Sequence, residues 1–391
     1  MPSQSFSLRL SAFNAFLFMG GGIQLPFLPL WLKDNGLSTG EIAVVLAAMA
    51  AVRILAIPVG AFIADTYGNR RRVIIVAATA SFACFGLLAL MHSFVPILAV
   101  ATLAAALFAP VGPLAEVFAI EGSDFHGLDY GRIRLWGSLS FLLGSLISGA
   151  LLENISVWWV IYLIIAAQGL GAAVTFVLPV DPARRDVAEA PAKLIDILKL
   201  MVAGPFFIFL AAAGIGQASH GLFYAFGSVH WDHQGLGKLT IGALWATAVL
   251  AEVAFFAVSR RWVTRFGPAR LIAVGVTGGL VRWLIFALNP PLWLLFAAQA
   301  LHALSFALTH LGTMHYVQQN VPPGMRNTVQ GIYAALAGGI LLSSVMWASG
   351  PLYSRFAGSA YFVMAATSAI AFGLALILVK VSPRVTVVPA A

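Results

Sequence analysis

The segment Asp65-Thr66-Tyr67-Gly68-Asn69-Arg70-Arg71-Arg72 has a partial copy 199 residues further on, Thr264-Arg265-Phe266-Gly267-Pro268-Ala269-Arg270, with the Gly and one Arg in register. Working outward, the same offset lays Gly36-Leu37 on Gly235-Leu236, Ile42 on Ile241 and Arg53 on Glu252. Most of these positions lie within apolar runs. A chain that repeats itself in this way reads as two membrane-embedded bundles from one duplicated unit. That is the plan of secondary transporters, which hold substrate between their halves near the bilayer midplane. Charges at equivalent intramembrane points, Arg53 and Glu252, are therefore the first functional candidates.

The composition agrees. Hydrophobic residues are 61% of the chain and charged residues 9%, with a mean hydropathy of +0.94, whereas a soluble domain carries roughly a quarter charged residues. Apolar runs of about 20 residues, enough to cross ~30 Å of hydrocarbon as helices, fall at 8–32, 41–64, 73–91, 94–120, 133–152 and 156–179 in the first half. In the second half they fall at 201–229, 240–259, 269–288, 292–318, 328–349 and 359–380. The expected fold is an all-α integral membrane protein of twelve transmembrane helices in two six-helix bundles, 1–180 and 201–391. The polar stretch 181–200 is the cytoplasmic linker, and its Ile195–Leu200 end suits an amphipathic turn on the membrane surface.

Of the 22 Lys and Arg, only Lys33, Lys238 and Arg355 fall outside if both termini are cytoplasmic, with Arg53 and Arg282 inside spans. Positive charge concentrates in cytoplasmic loops, so the net charge of +8 reports topology and requires no nucleic acid partner. The single cysteine, Cys84, excludes a disulfide and a Cys-based metal site. The N-terminus lacks the features of a signal peptide, so the first span is expected to be retained. The remaining loops are short, no phosphate-binding loop or hydrolase motif is apparent, and an enzyme is not expected.

Gly68 permits a tight turn after the second span, followed by three arginines. The segment resembles the inner-loop signature of the major facilitator superfamily, usually Gly-x-x-x-Asp-x-x-Gly-x-Arg-Arg, with Ala61 at the first Gly position and Gly60 just before it. The resemblance implies that Asp65, Gly68, Arg70 and Arg71 form a cytoplasmic gate that latches the two bundles. A purely topogenic basic loop is the alternative. A second pattern, Gly112-Pro113-Leu114-Ala115-Glu116 and then Tyr130-Gly131-Arg132-Ile133-Arg134-Leu135-Trp136-Gly137-Ser138, is similar to the lactose permease branch, and more closely to its bacterial phenylpropionate permease relatives. Glu116 and Arg134 stand where that branch grips its sugar. Glu252 stands where the branch keeps a substrate-binding carboxylate, and Arg282 and His302 match the Arg and His of its proton-coupling cluster. Ser219-His220-Gly221-Leu222-Phe223-Tyr224 resembles its seventh span. One departure stands out: Ser305 occupies the position, three beyond the His, where the branch carries a carboxylate. The proton is then assigned to Glu252 first and Glu116 second, with His302 as a relay, since a buried carboxylate holds a proton more readily than an exposed one.

Arg134, Ser138, Phe141, Ser145 and Ser148 share one helical face, read here as the wall of a watery cavity. Three intramembrane cations, Arg53, Arg134 and Arg282, outnumber Glu116 and Glu252. The surplus favours an anionic substrate, whose carboxylate an Arg grips with two hydrogen bonds. The alternative is that Arg53 pairs with Glu252. Trp136 and Tyr224, with Phe118, Phe141 and Trp231, offer rings to stack on. The sequence-level expectation is a proton symporter importing a small organic acid, such as an aromatic carboxylate, with no cofactor beyond the proton gradient. It sits as a monomer in a bacterial inner membrane. A sugar or nucleoside symporter, a drug efflux antiporter and a receptor that has lost transport are the competing readings.

Overall fold

The structure is a computed structural model that describes residues 2–178, 199–259 and 265–382. Most of the linker, 181–198, lies outside the described residues. Every described element is helical: α1 (Pro2–Asp34), α2 (Thr39–Ala51), α3 (Arg53–Tyr67), α4 (Arg70–Leu88), α5 (Phe94–Phe108), α6 (Val111–His126), α7 (Tyr130–Leu152) and α8 (Val160–Thr175). The second half gives α9 (Gly204–Ala218), α10 (Gly221–His233), α11 (Lys238–Val258), α12 (Pro268–Ala287), α13 (Leu292–Ala300), α14 (Thr309–Asn320), α15 (Arg326–Ala334), α16 (Leu342–Phe356) and α17 (Tyr361–Val381). Two π-helical segments, Ala303–Leu308 and Ala335–Leu341, bridge α13 to α14 and α15 to α16.

Among the described residues, 11 helical runs are long and apolar enough to cross a membrane, the last being Pro323–Val381 with 59 residues. Ala357, at φ +46, and the short turn Ala357–Ala360 divide that run into two. The expected twelve crossings are thus accounted for. The duplication is also written in the backbone. Gly36 and Gly235 share φ +82 and +84, and Gly68 and Gly267 share +63 and +71. These left-handed turns favour glycine because it lacks a Cβ. Ser38 and Glu41 form a reciprocal cap at the start of α2, with the Glu41 carboxylate accepting from Ser38 N at 2.8 Å and Ser38 Oγ accepting from Glu41 N at 3.3 Å.

The chain folds into two compact units. The first contains Met1–Asp186, Gly221–Leu250 and Ser343–Ala357, and the second Val187–His220, Ala251–Leu342 and Gly358–Ala391. In lipid there is little hydrophobic drive between helices, so close packing through small residues holds them together. In the first unit, α1 lies so near α7 that a Cβ on Gly22 would stand 2.2 Å from Phe141 O, and one on Gly144 2.7 Å from Met19 O. Ser145 Oγ donates to Gly22 O at 2.7 Å across the same seam. Phe6, Leu10, Phe13, Ile74, Val111 and Phe118 fill the apolar core of this unit. The parts of α10, α11 and α16 that belong to it pack equally closely, a Cβ on Gly242 standing 2.2 Å from Ser145 O and one on Gly350 3.1 Å from Gly40 Cα.

The second unit packs α12 against α14, α17 and the first π segment. A Cβ on Gly275 would lie 2.2 Å from Thr309 Oγ1, and one on Gly278 2.5 Å from Leu304 Cβ. Phe209 stacks on Tyr316 with centroids 4.2 Å apart, in a core shared with Ile272, Val276 and Tyr333.

Candidate functional site

Each unit carries a polar cluster within its membrane-spanning helices. In the second unit the Arg282 side chain is wholly buried. Its Nη1 lies 2.9 Å from His302 Nδ1 and 3.4 Å from Ser305 Oγ, and its Nη2 donates to Gln299 Oε1. The guanidinium also lies over the Trp283 ring, 4.6 Å from its centroid. Burying a cation is costly unless donors are satisfied, and these acceptors on Nη1 and Nη2 answer part of that cost. His302 Nε2 in turn stands 3.7 Å from Glu252 Oε2. The expected grouping of Glu252, Arg282 and His302 is therefore present in space.

The geometry fixes the His302 tautomer. A guanidinium only donates, so His302 Nδ1 accepts, and in the neutral ring the proton sits on Nε2, facing Glu252. His302 thus presents an N–H to the carboxylate. The π segment begins at the residue after His302 and contains Ser305. Such turns recur at functional sites, and here Gly275 and Gly278 give it room.

In the first unit, Glu116 on α6 accepts from the Tyr130 hydroxyl, while its Oε2 lies 3.6 Å from Arg134 Nε. Arg134 sits over the Phe18 ring of α1, 4.2 Å from the centroid. The Arg134 and Glu116 side chains keep 36% and 43% exposure, so the pair remains open to water or a ligand. Arg53 opens α3 just after the helix breaks at Val52, its side chain is exposed, and among the described residues it makes no hydrogen bond or ion pair. A cation within a membrane span is costly unless it is paired or solvated, which makes Arg53 a functional candidate.

Other expected residues lie elsewhere. Ser145 and Ser148 are buried and donate to backbone carbonyls, so that end of the α7 stripe is helix packing and not a cavity wall. The cause is the small-residue seam with α1. Ser138 is half-buried higher on the same face. Trp136 is 54% exposed and shares its face with the exposed Leu139, Leu143 and Ile147, about 200° round the helix from Arg134 at 100° per residue. Phe118 and Trp231 are core residues, buried to 1% and 2%. Tyr224 is half-buried and stacks on Trp245 with centroids 6.2 Å apart.

At the signature loop, Gly68 adopts the left-handed turn and Asn69 caps α4, accepting from Arg72 N at 2.9 Å. Arg70 pairs with Glu121 at 2.5 Å, and Arg71 donates to Phe176 O at 2.7 Å. Both partners belong to the same half of the chain as the loop. Asp65 also has a polar partner.

Sequence reasoning missed Gln299, Glu121 and the direct part of His220, which lies 3.1 Å from Ser305 Oγ. It also missed the ion pair of Lys33 with Asp232 at 3.1 Å. The signal for that pair was at hand, since Lys33 and Asp232 are separated by the repeat offset of 199.

Known proteins bear on this geometry. The chain is 27% identical over 366 residues to the probable 3-phenylpropionic acid transporter of Escherichia coli K12, covering 89% of this chain and 91% of that one. It is 27% identical over 341 residues to the maltose permease of Geobacillus stearothermophilus, covering 84% and 83%. The crystal structure of the nucleoside transporter NupG superposes with a TM-score of 0.81 at 16% identity, covering 96% and 98%, a likeness of fold alone. The pattern that defines the MFS_1 like family matches residues 7–364, and the chain belongs to that family of multi-pass secondary transporters.

Proposed function

We propose that the protein is a proton-coupled symporter that imports a small organic acid, an aromatic carboxylate such as 3-phenylpropionate, by alternating access. The observation that carries this reading is Arg53: an arginine at a helix break within a span, with no hydrogen bond or ion pair among the described residues. A planar fork of donors in that setting suits a carboxylate, and the relative named for 3-phenylpropionic acid fits the same chemistry. Arg53 and Arg134 hold the carboxylate, while Glu116 and Tyr224 orient the remainder of the substrate.

Glu252 carries the proton. Its neighbour His302 offers an N–H, which stabilises the ionised carboxylate and is weakened when Glu252 is protonated. The proton gradient is the driving force, and no cofactor is called on. The protein acts as a monomer in a bacterial inner membrane, with Asp65, Gly68, Arg70 and Arg71 at the cytoplasmic end and both termini on that side. A sugar reading rests on one observation, the half-exposed Glu116, Tyr130 and Arg134 group, which matches the donors and acceptors of a polyol.

Counterflow into proteoliposomes with labelled 3-phenylpropionate, a nucleoside and a β-galactoside separates these readings. Exchange of the acid alone is expected. Exchange of the sugar or nucleoside without the acid overturns the anion assignment and leaves the fold untouched.

A further inference from the structure

The second unit holds a chain of hydrogen bonds whose direction is dictated by one backbone carbonyl. The His220 ring is fully buried, with Nδ1 3.0 Å from Gln217 O and Nε2 3.1 Å from Ser305 Oγ. A carbonyl only accepts, so the ring proton is on Nδ1 and Nε2 is left as an acceptor. The Ser305 hydroxyl therefore donates to Nε2. That turns its oxygen lone pairs toward Arg282 Nη1 at 3.4 Å, which lies in turn 2.9 Å from His302 Nδ1.

Take His220 away and the Ser305 hydroxyl is free to rotate. Within a helix its common alternative is to donate to a carbonyl one turn back, and that rotation withdraws an acceptor from Arg282. Among the described residues, the charged and titratable groups near His220 include Arg282 on α12, through Ser305, and His302, whose ring centroid is 5.6 Å away. The aromatic edge of Trp283, 5.1 Å off, closes another side. His220 ends the first segment of its unit and lies at the break between α9 and α10. A helix break lacks its full set of backbone bonds, so a side chain that fixes it also fixes what it touches.

We infer that His220 is a positioning residue of the coupling site: through Ser305 it holds the Arg282 guanidinium where it keeps His302 in the Nε2–H form facing Glu252. The inference rests on the assignment of Glu252 and His302 as the proton-handling groups. It gives Ser305 a role despite its lack of charge, since the hydroxyl relays orientation and not a proton.

Two substitutions separate the two ring nitrogens. His220→Gln places an amide near the Nε2 position, where its oxygen can accept from Ser305. His220→Asn reaches only the Nδ1 position, where its amide can donate to Gln217 O. Purified variants in proteoliposomes are compared for counterflow exchange and for uptake driven by an inward proton gradient, each across a range of pH. The expected result is that exchange survives in both variants. Gradient-driven accumulation falls about tenfold or more in His220→Asn, the factor a lost hydrogen bond to a charged network carries, and is largely kept in His220→Gln.

Ser305→Ala is expected to match His220→Asn. Histidine ¹⁵N spectra, with His302 assigned through His302→Gln, are expected to show His302 leaving the Nε2–H form in Ser305→Ala and His220→Asn. Equal loss of exchange and accumulation, with an unmoved pH profile and unchanged His302 signals, overturns the inference and leaves His220 a packing residue. Equal loss of accumulation in His220→Asn and His220→Gln also overturns it, because His220 would then carry the proton itself. If the wild-type protein shows exchange but no gradient-driven uptake, the coupling assignment fails, and the ¹⁵N comparison still decides the positioning role.

Discussion

Asp232→Ala tests how far two lysines at one carboxylate differ in worth. Asp232 lies 2.5 Å from Lys238 Nζ and 3.1 Å from Lys33 Nζ, with side-chain exposures of 24% for Asp232, 19% for Lys238 and 43% for Lys33. All three residues belong to the first unit. The Lys33 pair is open to solvent, so its worth is discounted to about 0.5–1 kcal/mol. The Lys238 pair is mostly enclosed, and a charge-assisted bond of that kind contributes about 1.5–3 kcal/mol. Removing the carboxylate is therefore expected to cost about 2–4 kcal/mol, most of it through Lys238.

The assay is chemical unfolding in mixed micelles of Asp232→Ala, Lys33→Ala, Lys238→Ala and the two double variants. Coupling energies from the two cycles isolate each pair. At about 0.5 M salt the Lys33 coupling is expected to vanish, since the screening length falls to a few ångströms, while the Lys238 coupling persists. A Lys33 coupling equal to or larger than that of Lys238 refutes the reasoning from exposure. So does an Asp232→Ala variant as stable as the wild type.

Two further outcomes follow from the geometry. Gly22→Ala puts a Cβ 2.2 Å from Phe141 O, where ordinary contact begins at 3.4 Å. The α1–α7 seam must open by about 1 Å at a cost of about 1–3 kcal/mol, measured as lowered stability, and an unchanged midpoint counts against the close packing. Arg53→Gln is expected to weaken substrate binding about tenfold or more, the worth of a hydrogen bond to a charged group. The check is the half-saturating concentration in counterflow, and unchanged values remove Arg53 from the site.

Much of the fold was legible because it was written twice. The offset that lays Gly36 on Gly235 and Gly68 on Gly267 reappears as matched left-handed turns, and the apolar runs fix the crossings by length alone. The Arg282, His302 and Glu252 grouping was reachable through a family resemblance. Local spacing could not show it, because those residues come from α11, α12 and the α13–π junction. Ser145 and Ser148 misled because a polar stripe on a membrane helix serves a cavity or a backbone-contact seam equally well, and only the neighbouring Gly22 decides which. The π segment after His302 was hidden as well. An α-helical count assumes 100° per residue throughout, and a π turn breaks that count just where Ser305 is aimed at His220. His220 itself looked like any buried histidine until its two ring nitrogens acquired partners.

The proposed coupling has one proton travel with an organic acid, carried on Glu252. It is tested most directly by adding 3-phenylpropionate outside proteoliposomes that enclose a pH-sensitive dye. The wild-type protein, Glu252→Gln and protein-free vesicles are run side by side, because the neutral acid also crosses bilayers unaided. Acidification inside well above the protein-free rate is expected for the wild type, and no excess for Glu252→Gln even though it still exchanges labelled substrate. Excess acidification by Glu252→Gln equal to that of the wild type would contradict the proposed coupling.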